Sequence, residues 1–232
     1  MKKEEAVTYL VEGIKNPPSI IQDAAKRSQF AIDTGLGYSL CGCGDHAGDS
    51  LTELAGIAVQ DSKLYDSEIH GVIHWLGVYH NALLIANGAQ LHRITTSEVD
   101  IYNTQKGELP ADVDAALVAM LFSLFHDSRR DTKGHCTLHG AYGNAALIEA
   151  AKDLAIEGIE LEIALLACSL HTIVDYPRRC IYIMEHPYGD LIGMCLDADR
   201  MDLMRLGTPL DPRFVMFEDS LELQKNWLKI NS

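Results

Sequence analysis

Residues Ala111 to His126 make up the most apolar stretch of this chain, with Pro110 ahead of it at a position that a helix tolerates in its first turn. A helix that is apolar on nearly every side is stable only when neighbouring elements cover it on every side. The run Ala119-Met120-Leu121-Phe122-Ser123-Leu124-Phe125 allows no solvated face. No apolar stretch, Ile163 to Cys168 included, approaches the ~20 residues that a bilayer span requires. The segment is therefore expected to be the central buried helix of a globular domain.

The other strong patterns share the helical period. Ala6 to Ile14 predicts a short amphipathic helix, closed by Asn16-Pro17-Pro18. Ser19 can cap a second helix, reaching to about Ile32. Leu51 to Val59 predicts a third. A longer helix is expected from Ser67 to Ala86, with Ile69, Ile73, Leu76, Leu83 and Leu84 on its apolar face and Asn87-Gly88 as its stop. From Ala89 to Leu109 the pattern weakens: His92 to Ile101 has some β character but no partner for a hairpin, and a connection or short helix is expected. Further helices are expected over Gly140 to Leu154, Glu160 to Leu170, Asp190 to Leu206 (ended by Gly207) and around Leu221 to Leu228. The fold class is all-α: a single helical domain over 65–208, preceded by a helical extension over 1–64 and followed by a C-terminal tail over 209–232.

Apolar residues form 47% of the 232, enough for a core without covalent staples. The formal net charge of −14 repels phosphate backbones and anionic membranes, so neither stable duplex binding nor membrane association is expected. A small anionic substrate remains compatible, because a bound dication reverses the local sign. No apolar leader follows Met1, and a cytoplasmic location with reduced thiols at all six cysteines is expected. Cys41-Gly42-Cys43-Gly44-Asp45-His46 offers two thiols and an imidazole where a closed zinc site needs four ligands, so a Gly-rich loop is the better description.

The ten histidines are not spread evenly. His126-Asp127 ends the apolar helix, where an ionised carboxylate is costly unless paired or bound to metal. His70 and His74 are four apart and would share a helix face. His80 falls off that face. His135 and His139 follow His126, and His171 ends another apolar helix. Asp197 and Asp199 lie about 200° apart on their helix, so only one can face the histidines.

In this order, His74, then His126-Asp127, then Asp199, the chain resembles the HD-domain superfamily of metal-dependent phosphohydrolases, from about Ser67 to Gly207. His126-Asp127-Ser128-Arg129-Arg130 is similar to a subgroup in which the dipeptide precedes Ser-Arg-Arg. His74-Trp75-Leu76-Gly77-Val78 resembles the first family motif, with Gly77 where Arg is usual, and Leu196 to Asp202 is similar to the last. The resemblance implies metal ligation by His70 or His74, His126, Asp127 and Asp199, for one or two ions: His139 and His171 either hold a second ion, with Asp127 bridging the two, or bind the substrate phosphate. Mixed imidazole and carboxylate donors suit Mn, Fe, Co or Zn, and admit Mg. The resemblance implies catalytic roles for Asp127, Arg129 and Arg130, and contact with substrate phosphate by Arg129, Arg130, His135 and Arg200. The implied activity is hydrolysis of a phosphate ester of a nucleotide or similar small molecule by metal-activated water. Relatives with two irons that oxidise their substrate, and a nucleotide-binding signalling module without turnover, are the alternatives. A homodimer is compatible with the helical surface.

Overall fold

The structure, a computed structural model, describes residues 1–17, 47–86, 91–96, 102–107, 109–134, 136–173 and 181–230. The expected helix from Ser19, the Cys41-Cys43 loop and His135 lie outside them. The described helices are α1 (Lys3–Lys15), α2 (Ala47–Asp61), α3 (Val72–Ala86), α4 (Ala115–Phe125), α5 (His139–Asp153), α6 (Ile159–Leu170), α7 (Ile181–Glu185), α8 (Gly189–Asp202) and α9 (Glu218–Ile230). Short 3-10 turns lie between α8 and α9, at Leu203–Leu206 and Pro212–Phe214. The protein is helical, as its periodicity predicts, and no described helix is long and apolar enough to cross a membrane.

Every residue of α4 from Ala116 to Phe125 is buried, which makes it the centre of the domain. It packs against α3, α6, α8 and α5. It starts later than Pro110 suggests, because Asp114 caps it: Asp114 Oδ1 accepts from the backbone amides of Ala116 at 2.9 Å and Leu117 at 3.2 Å. Helix α3 packs most extensively on α8. Ala6, Leu10, Val11 and Ile14 of α1 join the same core as Trp75 and Phe122.

Two expectations for residues 67–107 are corrected. Helix α3 begins at Val72, not Ser67: the Ser67 hydroxyl accepts from the amides of Ile69 and His70, both at 3.3 Å, and holds a turn in front of the helix. Its buried face is Val72, Trp75, Val78, Tyr79, Ala82, Leu83 and Ile85 with Leu76, whereas Ile69 (37% exposed) and Ile73 (40% exposed) face outward. The weak segment after it is a hairpin: β1 (Leu91–Thr96) pairs antiparallel with β2 (Tyr102–Gly107), Leu91 opposite Gly107 and Thr96 opposite Tyr102. Arg93 anchors the hairpin to the helices through an ion pair with Asp190 and a β-bridge to Phe217.

Helix α8 passes into the 3-10 turn and stops at Gly207, whose φ of +79° is the left-handed conformation that glycine adopts without a Cβ penalty. Within α8, Asp197 turns away from the histidines. Its Oδ1 accepts from Met216 N at 2.8 Å, and its Oδ2 accepts from Phe217 N at 3.0 Å and Ser220 Oγ at 2.8 Å. Burial pushes the Asp197 carboxyl up to about 6, against the pull of these donors. It ties α8 to the segment that leads into α9, a structural task. Asp197→Ala is expected to lower the free energy of unfolding by about 1–3 kcal/mol, the cost of leaving buried donors unpaired, as read by urea denaturation, with metal content unchanged. Loss of metal at unchanged stability would contradict this assignment.

Candidate metal centre

Seven side chains from five parts of the chain converge beside the C-terminal end of α4. His70 comes from the turn before α3, and His74 from the first turn of α3. His126 caps α4 and Asp127 follows it. His139 opens α5, His171 caps α6, and Asp199 projects from α8. Three overlapping groups among them have ligand atoms close enough to share a metal ion: His70, His74 and Asp127; His74, His126 and Asp199; Asp127, His139 and His171.

Four of the histidines are oriented by their outer nitrogen. His74 Nδ1 lies 2.8 Å from Asp202 Oδ2. His126 Nδ1 is 3.1 Å from Ser123 O and 3.2 Å from Phe122 O. His139 Nδ1 bonds Cys136 O, and His171 Nδ1 is 2.7 Å from Cys168 O. With Nδ1–H donating outward, each Nε2 carries its lone pair into the cluster, the arrangement a metal-binding imidazole needs. The consequence is sharpest where His74 Nε2 and His126 Nε2 stand 3.1 Å apart. Two lone pairs at that distance repel unless a cation or a proton lies between them. His171 Nε2 is buried without a hydrogen-bond partner, 3.9 Å from Asp127 Oδ1.

Asp127, only 2% exposed, divides its two oxygens between two sets of neighbours. Its Oδ2 lies 2.9 Å from His70 Nδ1, 3.8 Å from His74 Nε2 and 4.0 Å from His126 Nε2. Its Oδ1 lies 3.1 Å from His139 Nε2 and 3.4 Å from Arg130 Nη1. Asp199 Oδ1 completes the first set, 3.2 Å from His74 Nε2 and 3.6 Å from His126 Nε2. Donors bonded to one ion at ~2.1 Å stand roughly 3.0–3.4 Å apart when adjacent and about 4.2 Å when opposite. The distances of Asp199 Oδ1 and Asp127 Oδ2 from His74 Nε2 and His126 Nε2 fall across that range, so these donors fit a divalent ion.

The electrostatics follow from this crowding. Burial opposes the charged form of Asp127 and Asp199, but the surrounding imidazoles overcome it and hold both carboxyls well below the usual carboxylate range. Burial likewise opposes a charge on His74, yet Asp199 and Asp202 push it up to about 10. Burial takes His139 the other way, down to about 4, with His171 and Arg130 adding to the shift against Asp127. In the absence of metal, a proton on His74 thus does part of what a cation would do.

Of the residues singled out in the sequence, the structure brings together His70, His74, His126, Asp127, His139, His171 and Asp199, with Arg130 and Arg200 lining the same cavity. It separates Arg129 from them. Arg129 does not line that cavity: its guanidinium bonds Asp61 Oδ2 at 2.7 Å and also pairs with Glu149. His80 bonds Gly13 O, away from the site. Sequence reasoning missed Asp202, which orients His74, and the reason for Gly77: a Cβ there would lie 2.1 Å from Asp202 Oδ1. Glycine at 77 clears the path by which Asp202 reaches His74. Its position in place of an expected arginine was the one available signal.

Comparison with protein-family models, with curated proteins and with solved structures gives no significant match. The geometry alone therefore defines the class: a buried histidine–carboxylate centre suited to a divalent metal, in a helical domain.

A metal ion bound at His74 Nε2 would displace the proton held there. Because His74 without metal is held above its unfolded value of 6.5, its proton stabilises the metal-free fold below that pH, and the contribution fades as pH rises towards 10. Apparent metal affinity is accordingly expected to rise about tenfold per pH unit between pH 7 and 9, as one proton is released per ion. Calorimetric titration with Mn²⁺ in buffers of different ionisation enthalpy measures this release. Affinity flat across that interval would show that no proton leaves the site as the metal binds.

Proposed function

We propose that the protein is a metal-dependent phosphohydrolase of the HD type, cleaving a phosphate ester of a nucleotide or similar small molecule. The observation that carries this reading is Asp127, a nearly inaccessible carboxylate facing His70, His74 and His126 with one oxygen and His139 and Arg130 with the other. A divalent ion held by His74, His126, Asp127 and Asp199 would supply Lewis-acid polarisation of a phosphoryl oxygen and a water acidic enough to attack near neutral pH.

The chain's own residues supply the rest. A cavity of about 180 Å³ opens on the cluster, with Arg130, Arg200 and His171 among its polar lining and Ile69 and Leu203 beside them. Such a volume takes a phosphate and the atoms next to it, while a larger group would remain at the mouth beside the two apolar side chains. Arg200 brings a guanidinium group, which matches phosphate oxygens by forked hydrogen bonds, and Arg130 adds the charge of a second. They also give the cavity local positive charge in a chain whose net charge is −14. The tethers on Nδ1 keep the imidazoles from reorienting as charge shifts on the phosphoryl group, so the site is preorganised before substrate enters.

The purified chain, loaded in turn with Mn²⁺, Fe²⁺, Co²⁺, Zn²⁺ and Mg²⁺, is expected to hydrolyse at least one member of a panel of nucleotides and simple phosphate esters. Asp127→Ala should lose bound metal and at least ~100-fold in turnover, since both sets of neighbours depend on it. Arg129→Ala should leave turnover within about twofold, as expected of a partly solvated ion pair that does not line the cavity. Parent-like hydrolysis by the Asp127 variant would end the proposal.

A further inference from the structure

The two halves of the cluster are not equivalent. Around His74, His126 and Asp199 the donors face one another directly, His74 Nε2 lying 3.1 Å from His126 Nε2 and 3.2 Å from Asp199 Oδ1. Around Asp127 Oδ1, His139 and His171 a guanidinium group stands among them. Arg130 is 8% exposed, and its side chain is fixed at three of its nitrogens. Nε donates to Thr132 O at 3.0 Å and Nη2 to Gly134 O at 2.8 Å, both carbonyls of the loop before α5. These two bonds aim Nη1 inward, to 2.8 Å from His139 Nε2 and 3.4 Å from Asp127 Oδ1. Those are the two atoms that an ion in this half of the cluster would need. Arg130 Nη1 also lies 3.2 Å from His139 Nδ1, so it stands against the imidazole ring and not along the Nε2 lone pair, and it supplies the charge that Asp127 Oδ1 faces.

We propose that the Arg130 guanidinium takes the place of a second metal ion, so that the protein holds one divalent ion, on the His74–His126–Asp199 side, with Asp127 reaching it through Oδ2. This rests on the metal-centre reading above and refines it. A guanidinium cannot be deprotonated in a protein and cannot serve as a ligand, so it excludes an ion from this half by its charge and by the space it fills beside His139. The loop carbonyls of Thr132 and Gly134 hold it there without help from any ligand. The remaining open donor on this side, His171 Nε2, then faces the cavity and not an ion. Asp127 therefore joins a metal to an arginine instead of joining two metals.

The test is metal stoichiometry and magnetic coupling, read without reference to turnover. The full chain, equilibrated with Mn²⁺ and freed of excess, is expected to contain one ion and give the electron paramagnetic resonance spectrum of an isolated Mn²⁺. Arg130→Gln, which keeps a polar end but not the charge, and Arg130→Met, which keeps only the bulk, are each expected to take up a second ion. The spectrum should become that of an exchange-coupled pair bridged by a carboxylate, and adding His139→Ala should restore the single ion. Unchanged helicity and a cooperative melt establish that each variant is folded; a variant that fails to fold leaves the other to decide. Two ions in the parent chain would overturn the proposal while leaving the metal centre intact. One ion in a folded Arg130 variant would overturn it equally. No ion in the parent would overturn the metal-centre reading itself.

Discussion

A carboxylate with almost no access to water is the constraint on which this site is built. Leaving Asp127 ionised and unpaired at the end of the most apolar helix in the chain would cost several kcal/mol. The fold meets that cost by gathering imidazoles from three other elements and one guanidinium around its two oxygens. The same convergence fixes how the helices pack. His74 can reach Asp127 only because α3 runs along α4, and Asp199 can reach His74 only because α8 lies against α3, the most extensive helix pair in the domain. The Phe122 ring stacks on His126, centroids 4.8 Å apart, and so extends the apolar core to the edge of the charged cluster.

The second organising feature is the ring of acceptors outside the imidazoles. Backbone carbonyls from the ends of α4 and α6 and from the turn before α5, together with the Asp202 carboxylate, each bind an Nδ1. Helix C-termini are rich in carbonyls without intrahelical partners. His126 and His171 both sit at helix C-caps, where their Nδ1 atoms satisfy such carbonyls three residues back. Local helix chemistry thus sets the tautomer of two of the inward-facing nitrogens before any tertiary contact is made.

Much of this was legible in the sequence. An apolar run ending in His126-Asp127 signals a buried acid, and the 100° step of a helix requires Asp197 and Asp199 to part company. The structure sends Asp197 to Met216, Phe217 and Ser220, and Asp199 to the histidines. Other features carried little local signal. Asp202 orients His74 across 128 residues, and only Gly77, three residues from His74, hints at it. Arg129 and Arg130 are adjacent and identical in type, yet the turn after α4 sends one to Asp61 and the other to His139. The hairpin was hidden because Tyr-Asn-Thr-Gln-Lys-Gly lacks the apolar alternation of a half-buried strand. The start of α3 was displaced by one serine hydroxyl competing for backbone amides.

The central claim is that one divalent ion sits among His74 Nε2, His126 Nε2, Asp199 and Asp127. Anomalous diffraction from crystals grown with Mn²⁺, collected on both sides of the manganese absorption edge, tests it most directly. The account predicts one strong anomalous peak within bonding distance of those four side chains, with the Nδ1 bonds of His74 to Asp202 and of His126 to the α4 carbonyls retained. A peak elsewhere in the chain, or a fully metal-loaded crystal with only water or a direct His74–His126 hydrogen bond at this position, would contradict it.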